Sequence, residues 1–585
     1  MGSKSNLNLG TGMELSMLRN RHRAVEFVLF WLICICSAMA QESKQQWESK
    51  PQANLFNRIF YNDYTAPSVR DFYTGKENAL EAVIRDGKLI LSAEDAVRLA
   101  LENNVDINVE RYGPYFSFWG IEKGKSVLDP TVQFSSTVNR NVTPTSSVLQ
   151  GGDTLLNLNI PYNINVHKPF ESGLDLDVNF STVRARTSSS FTNLNPSFTS
   201  VVGFTLTQHL LKDFGKVSRG RYLRVARNNY NISQATFVQR VTDIITNVLN
   251  IYWDVAWADE DIKVKEASRK LAEVILDQNK IQAEVGTMSP LDVVQAEAEV
   301  AARTEQVVTA RYTKRLAEDL LKKLIAPQPD PMSVTASIET ASKPEPPPAP
   351  RTDVLAAIKR ACDKRPEIMQ QQLDQENKKI QIEYTKNQLR PTLDLVASYS
   401  QNGLGGDRIL RDYTNGFFNA PIIGMEPGGF GDSLHSMFTY RYLSYIFGAT
   451  LRIPIGNKDA RASYAQAQID YRQGEERTRS LRQRIALDVR QAYEFMEMSG
   501  ARLDTAQTTV RYQERRLQGE QDKYALGATI TRFILEAQRD LQDAQSRALR
   551  AKIDLIKSQI MLDKAVGETL AAYNIELKDA LPGLR

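Results

Sequence analysis

Cysteine is nearly absent from this chain of 585 residues, which holds three. Cys34 and Cys36 lie in an N-terminal apolar run, so maturation leaves Cys362 alone. Neither a disulfide framework nor a cysteine metal site can be built from one thiol. Histidine is as scarce. His22, His167, His209 and His435 are scattered, with no metal-ligand spacing and no nucleophile motif beside them, so an enzyme finds little support and no metal or cofactor is expected. Charge of one sign is missing too. The net charge of +4 is close to balance, and nucleic acid is not indicated as a partner. Long hydrophobic runs are limited to Phe27–Cys36, too short for the ~20 residues a membrane helix needs.

That one run carries its own explanation. Arg19, Arg21 and Arg23 precede it and Ala38-Met39-Ala40 closes it, the layout of a secretory signal with cleavage after Ala40. Residues 1–40 are therefore expected to be a signal peptide, with Met13 or Met17 as alternative starts, and the protein to be exported. Residues 41–90 form an N-terminal extension, of which 41–85 carry no clear pattern and no assigned role.

What the chain does have is a second copy of itself. Gly286 is followed by Ser289-Pro290 and the run Leu291–Val300; Gly527 is followed by Thr531 and the run Phe533–Leu541. Gly215 and Gly456, Val248 and Val489, and Tyr252 and Tyr493 keep the same offset of 241 positions. Solenoid units repeat every ~20–50 residues, so this is a duplicated half-molecule. The copies are expected at 91–326 and 353–570, joined by a Pro-rich linker or strap at 327–352, with a tail at 571–585.

Each copy combines alternating strands with very long helices. Strands are expected between about 131 and 210, then at 391–400 and 441–455. The most regular places Leu156, Leu158, Ile160, Tyr162, Ile164 and Val166 on one face and Asn157, Asn159, Asn163 and Asn165 on the other. Period two by itself fits a soluble sandwich or a transmembrane barrel. The polar faces are almost entirely Asn, Asp, Ser, Thr and Gln, and the connections Thr187–Ser200 and Gln401–Met437 are long where the turn near Pro169 is short. Both features suit a barrel with a watery lumen. The Gly403–Gly406 cluster lies in such a loop with no following helix, so it carries little phosphate-binding signal. An open sheet edge does not survive in lipid, so the barrel must be shared between identical subunits.

Helices are expected at 93–126, 217–285 and 290–325, and again at 366–390, 460–525 and 530–566. At 1.5 Å per residue the longer ones reach roughly 100 Å, which implies coiled-coil pairing. Ile485, Val489 and Tyr493 fall on one face while Arg482, Arg484 and Arg490 fall elsewhere. Ser92 reads as the cap of the first helix, and Pro366-Glu367 as the opening of its counterpart. The fold class is thus an internally duplicated α+β membrane protein: a shared β-barrel with walls of long, paired coiled-coil helices.

At this point the residues resemble a known group. Leu91-Ser92-Ala93-Glu94-Asp95-Ala96-Val97 with Ala100-Leu101-Glu102-Asn103-Asn104 is similar to the opening helix of TolC-like outer membrane efflux proteins. So are Arg365-Pro366-Glu367-Ile368, Leu389-Arg390-Pro391-Thr392-Leu393, and the turn Gly286-Thr287 with Leu291-Asp292-Val293-Val294-Gln295-Ala296. The resemblance implies a homotrimer: a shared β-barrel in the outer membrane lipid, continued by a helical coiled-coil tunnel that extends into the periplasm. Its partners would be a periplasmic adaptor and an inner-membrane pump, docked at the helix turns Gly286, Thr287, Gly527 and Ala528. It implies two strands per half and twelve per trimer. The first half here offers four, so either eighteen strands close the barrel or the extra pair is an accessory hairpin. The family's acidic mouth maps onto Phe533 and Glu536, and in the first half onto Asp292 and Gln295. Glu536 is expected to form a cation-favouring ring with Phe533 as an apolar constriction. Asp292 equally suits helix capping with Ser289 and Pro290. Alternatives are the outer component of type I protein secretion and, in another class, a periplasmic coiled-coil scaffold or adhesin.

Overall fold

A computed structural model describes residues 84–85, 88–146, 152–326, 335–346, 353–414, 420–526 and 528–575, with a few isolated positions besides. The expected signal peptide at 1–40, most of the expected extension at 41–90, residues 576–585 of the tail and Gly527, one of the expected docking residues, lie outside them. In chain order the first half runs β1 (Ile84–Arg85), β2 (Lys88–Leu91), α1 (Ala93–Asn103), α2 (Val105–Lys125), β3 (Thr131–Ser136), β4 (Asn139–Pro144), β5 (Thr154–Pro169), β6 (Leu174–Thr187), β7 (Leu194–His209), α3 (Gly220–Glu284) and α4 (Pro290–Ile325). There follow β8 (Ser337–Thr340), α5 (Val354–Lys364), α6 (Pro366–Gln388), β9 (Thr392–Arg411), β10 (Ile422–Glu426), α7 (Phe430–Phe438), β11 (Leu443–Arg452), α8 (Lys458–Ala525), α9 (Thr531–Val566) and α10 (Thr569–Ala572). The chain forms two compact units, one built on the eight-stranded sheet and one on the long helices.

The sheet is antiparallel in the order β10-β9-β7-β6-β5-β3, with β11 also on β9 and β4 also on β5. Residues facing each other across an antiparallel ladder share a face. Register therefore puts Val132, Ile164, Val166, Val178, Phe180, Val202, Phe204, Tyr399 and Tyr445 together. The opposite face carries Ser135, Asn163 and Ser181, hydrogen bonded in sequence across β3, β5 and β6. Thr205 and Ser398 continue that polar face across β7 and β9 at 3.1 Å. At one end of it, two of the histidines meet. His167 lies 2.8 Å from Asp177, His209 lies 2.6 Å from Asp394 and 3.4 Å from Asp175, and Arg219 donates to Asp175 at 2.7 Å. The belt ties β5, β6, β7 and β9 side chain to side chain. Sequence spacing showed the histidines as scattered because only strand register brings them together.

Two loops are more ordered than their composition suggests. β9 continues through the glycines to Arg411, because Leu194–Thr199 of β7 pairs with Leu404–Arg408. The connection beyond it contains β10 and α7. Helix α7 lies on β9 and β7, where a Cβ at Gly403 would collide with the Ser433 carbonyl oxygen and one at Gly405 with the Gly429 oxygen. Ser200 and Ser433 share a 2.7 Å hydrogen bond beneath it, extended to Thr182 at 3.0 Å. The cluster is thus a close-approach surface for a helix.

In the helical unit the expected helix over 93–126 divides at Asn104. Its ψ of 123° leaves the helical region, its Oδ1 accepts from the Ile107 N–H, and its Nδ2 donates to the Leu324 carbonyl. Arg365 breaks the second copy at the equivalent place, again with extended backbone. The counterpart of the Ser92 cap is consequently Asp353, which accepts from Leu355 N, and Pro366 opens the second helix of the pair. Part of the expected strap pairs as a strand: β8 runs parallel to β2, and Leu89, Leu91 and Ile338 are buried in a core with α1, α3, α4 and α9.

The long helices owe their length to seams rather than propensity. On α8 the buried positions Leu481, Ile485, Val489, Ala492, Met496, Ser499 and Leu503 recur by steps of four and three, the spacing of a coiled-coil stripe. Ala492 continues this stripe, while Tyr493 is half-buried. Tyr252 in the other copy is fully buried, donating from its hydroxyl to the Leu91 carbonyl and accepting from Ser342 N.

Candidate gate and docking turns

The turn between α3 and α4 follows from a left-handed residue and a cap. Gly286 has φ +81°, the Thr287 N–H donates back to the Gln282 carbonyl at 2.9 Å, and the Ser289 hydroxyl accepts from Leu291 N. Pro290 opens α4, with Asp292 in its first turn. Between α8 and α9 the same closing bond recurs 241 positions on, from Ala528 N to the Lys523 carbonyl at 2.8 Å. Such a bond satisfies a carbonyl that the helix end would leave open. Glu520 beside that turn is held below the ordinary carboxylate range, first by the Lys523 ammonium and also by the Thr529 hydroxyl.

Both turns are apolar where they are exposed. Ile281, Val285, Leu291 and Val294 flank the first, and Leu526, Ile530 and Phe533 flank the second. Gly286, Thr287 and Ala528 are themselves exposed. Behind them Ile275, Ala296, Leu517, Ile534, Leu535 and Ala537 form one buried cluster. It brings the starts of α4 and α9 together, and Asp292, Gln295, Phe533 and Glu536 border the seam without entering it.

Two neighbours of these residues were not foreseen. Arg516 on α8 donates to Asp540 at 2.7 Å and stands 4.0 Å from Glu536. A signal was available: Arg516 and Asp540 lie twelve positions on either side of Ala528, so an antiparallel hairpin must place them opposite each other. Glu536 therefore carries a cation beside it, which reduces the field of an acidic ring. Arg303 had no such signal. It is 2 % exposed and donates to Glu299, to the Ser268 carbonyl and hydroxyl, to Gln538 Oε1 and to the Leu535 carbonyl, all between 2.9 and 3.2 Å. Burial lowers its pKa and Glu299 partly restores it. One side chain thereby joins α3, α4 and α9. Among the described residues no group of His, Cys, Asp or Glu could hold a metal ion, and no helix is long and apolar enough to cross a membrane.

A family model described as outer membrane efflux protein matches residues 172–326 and 357–568, more than half of the chain. The chain belongs to the outer membrane efflux protein family. No curated protein matches it. Among solved structures it is similar to the outer-membrane channel OprN, with TM-score 0.57 and 13% identity over 81% of this chain and 90% of that one. It is similar to the Campylobacter jejuni CmeC outer membrane channel, with TM-score 0.57 and 13% identity over 90% and 94%. The Neisseria gonorrhoeae MtrE outer membrane channel in its open state gives TM-score 0.54 and 16% identity over 82% and 89%. The efflux channel accordingly has the family's α+β fold, a barrel shared between subunits and continued by a tunnel of long helices. It is an exit duct for efflux, placed in the outer membrane and reaching into the periplasm. The family and these relatives are channels rather than enzymes.

Proposed function

We propose that the efflux channel is the passive outer component of a tripartite system, a homotrimer whose helix turns receive a periplasmic adaptor coupled to an inner-membrane pump. The observation that carries this reading is the pair of turns. Two equivalent hairpin ends, at Gly286–Thr287 and next to Ala528, hold the same backbone bond and present exposed apolar side chains at 58% or more on Val285, Leu291, Leu526 and Ile530. Exposed apolar patches rimmed by charge mark protein-binding sites, and Lys280–Glu297 and Lys523–Glu520 supply such a rim. In a trimer the two halves give six near-equivalent docking points.

The gate belongs to the same reading. Phe533, half exposed on the first turn of α9, is the apolar constriction, and Glu536 with Asp540 and Arg516 sets its charge. The Arg516 guanidinium stands against the Glu536 and Asp540 carboxylates in each subunit, so the cation preference is weakened. Asp292 and Gln295 line the other half's approach, with Asp292 also stabilising the α4 terminus by about 0.3–1 kcal/mol. Photocrosslinkers at Thr287 and Ala528 in cells carrying the pump should capture one adaptor. Crosslinkers at both sites that capture no periplasmic protein, in a strain with working efflux, would remove the docking assignment.

A further inference from the structure

We infer that this channel closes its barrel with eighteen strands rather than twelve, through edge pairing of β11 in one copy with β3 and β4 of the next. This rests on the trimer proposed above. The strand count follows from where the extra strands stand. The two copies of the chain keep an offset of 261 from Ser92 and Asp353 through the starts of β3 and β9, and an offset of 241 from Gly215 and Gly456 onward. The first half is therefore twenty residues longer within its strand region and nowhere else among the elements paired. Matching ends identifies β3 with β9 and β7 with β11, which leaves the hairpin β5–β6 as the addition.

That hairpin stands inside the sheet. β5 and β6 pair from Asn157↔Thr187 to Pro169↔Asp175, β6 and β7 from Leu174↔Gln208 to Ala185↔Ser197, and β7 and β9 from Leu194↔Arg408 to His209↔Asp394. An accessory hairpin would hang from an edge, whereas this one has paired neighbours on both sides. The side chains agree. Asp175 on β6 is held by His209 of β7 and by Arg219, and Asn163 of β5 links Ser135 to Ser181. The faces also continue, with Ile164 and Phe180 in the apolar row and Asn165 and Asn179 in the polar one. Removing the hairpin from the wall would break two full ladders and leave their N–H and C=O groups unpaired in lipid, where no water is present to satisfy them.

β3 and β4 form one interrupted edge on β5, and β11 with β10 forms the other on β9, so each chain supplies six strand positions. Every residue of β3, β4 and β11 is exposed. Both edges alternate in the same sense, with Val132 and Phe134 on the face that carries Tyr445, Phe447 and Leu451. A second copy of this chain is the occupant that completes both the hydrogen bonds and the faces. At ~4.8 Å between strands and ~40° tilt, eighteen strands give a barrel about 36 Å across between backbones, against about 24 Å for twelve. The outer segment becomes a vestibule of porin width, and selection passes to the helical mouth.

The test uses the full-length channel in nanodiscs, spin-labelled at Ser444→Cys on the polar face of β11 in a Cys362→Ser background. Native mass gives the number of subunits. Three equivalent points on an eighteen-stranded barrel lie about 31 Å apart, and on a twelve-stranded one about 21 Å. A trimer with the longer distance is expected. A trimer with the shorter distance overturns the strand count while leaving the trimer intact, and any other subunit number overturns the proposed assembly instead. A second measurement reads the hairpin directly: Phe180→Trp on β6 should be quenched by brominated lipid, and an unquenched tryptophan in a folded trimer would place the hairpin outside the wall.

Discussion

Arg303→Ala should loosen the gate end of the helical unit without touching its surface. The guanidinium is 2 % exposed and makes five hydrogen bonds to three helices. The Ser268 and Leu535 carbonyls sit within helices, where each accepts from the N–H four residues on, so their loss counts for little. What remains is the charge-assisted bond to Glu299, worth roughly 1.5–3 kcal/mol, the amide oxygen of Gln538, whose unpaired burial costs about 1–3 kcal/mol, and the longest bond, 3.2 Å to the Ser268 hydroxyl, which can rotate to another acceptor. A total of about 3 kcal/mol is reasonable, at the lower end of what breaking a buried charge pair costs. The assay is hydrogen exchange along 268–303 and 531–545, where 1.4 kcal/mol corresponds to a factor of ten. Exchange should accelerate by about a hundredfold there and stay unchanged in the sheet. Arg303→Lys should recover only part of this, since an ammonium lacks the planar fork. Exchange within threefold of wild type in the alanine variant would refute the idea that this side chain fastens α3, α4 and α9.

Other perturbations probe separate parts of the molecule. Arg516→Gln should strengthen cation preference and block by multivalent cations in planar bilayers, and Glu536→Gln should weaken both; unchanged selectivity in the two variants would dismiss the ring. Asp563 is held above the ordinary Asp pKa, chiefly by burial and further by Glu568. The folded state thus disfavours its carboxylate form, and its contribution to stability is present below the unfolded pKa and lost as pH rises through the folded one. Asp563→Asn should therefore match wild type in acid and melt higher at neutral pH; a difference that grows towards acid would reverse the sign. Gly403→Val should lift α7 from the sheet, making residues 430–438 roughly tenfold more open to protease, and equal cleavage rates would show that the close approach is dispensable.

Much of this molecule is written locally. The long helices were legible because apolar residues recur at helical spacing, and the bounds expected for α4, 290–325, are those observed. The first-half turn was legible because Gly286, Ser289 and Pro290 each have one favoured use. The break at Arg365 was legible because Pro366 follows it and opens the next helix, whereas the one at Asn104 was not, because no proline or glycine marks it. Asn104 ends α1 only when Leu324 stands near enough to accept its amide. Tyr252 and Tyr493 are equivalent by offset, yet β2 and β8 cover the first and the second stays half-buried.

The sequence by itself determined that a half-molecule was duplicated, that its strands have one apolar and one polar face, and that its helices pair lengthwise. These are periodic properties, and periodicity is carried by neighbours along the chain. Only the tertiary structure decided which strands touch. A ladder is chosen by residues far apart in sequence, so the place of β5–β6 inside the sheet, the approach of His167 and His209 to Asp175, and the seating of α7 on Gly403 had no local signature. Between these cases stands Glu536, whose cation neighbour Arg516 is marked by symmetric spacing about Ala528 but comes within 4.0 Å only once α8 and α9 fold back on each other.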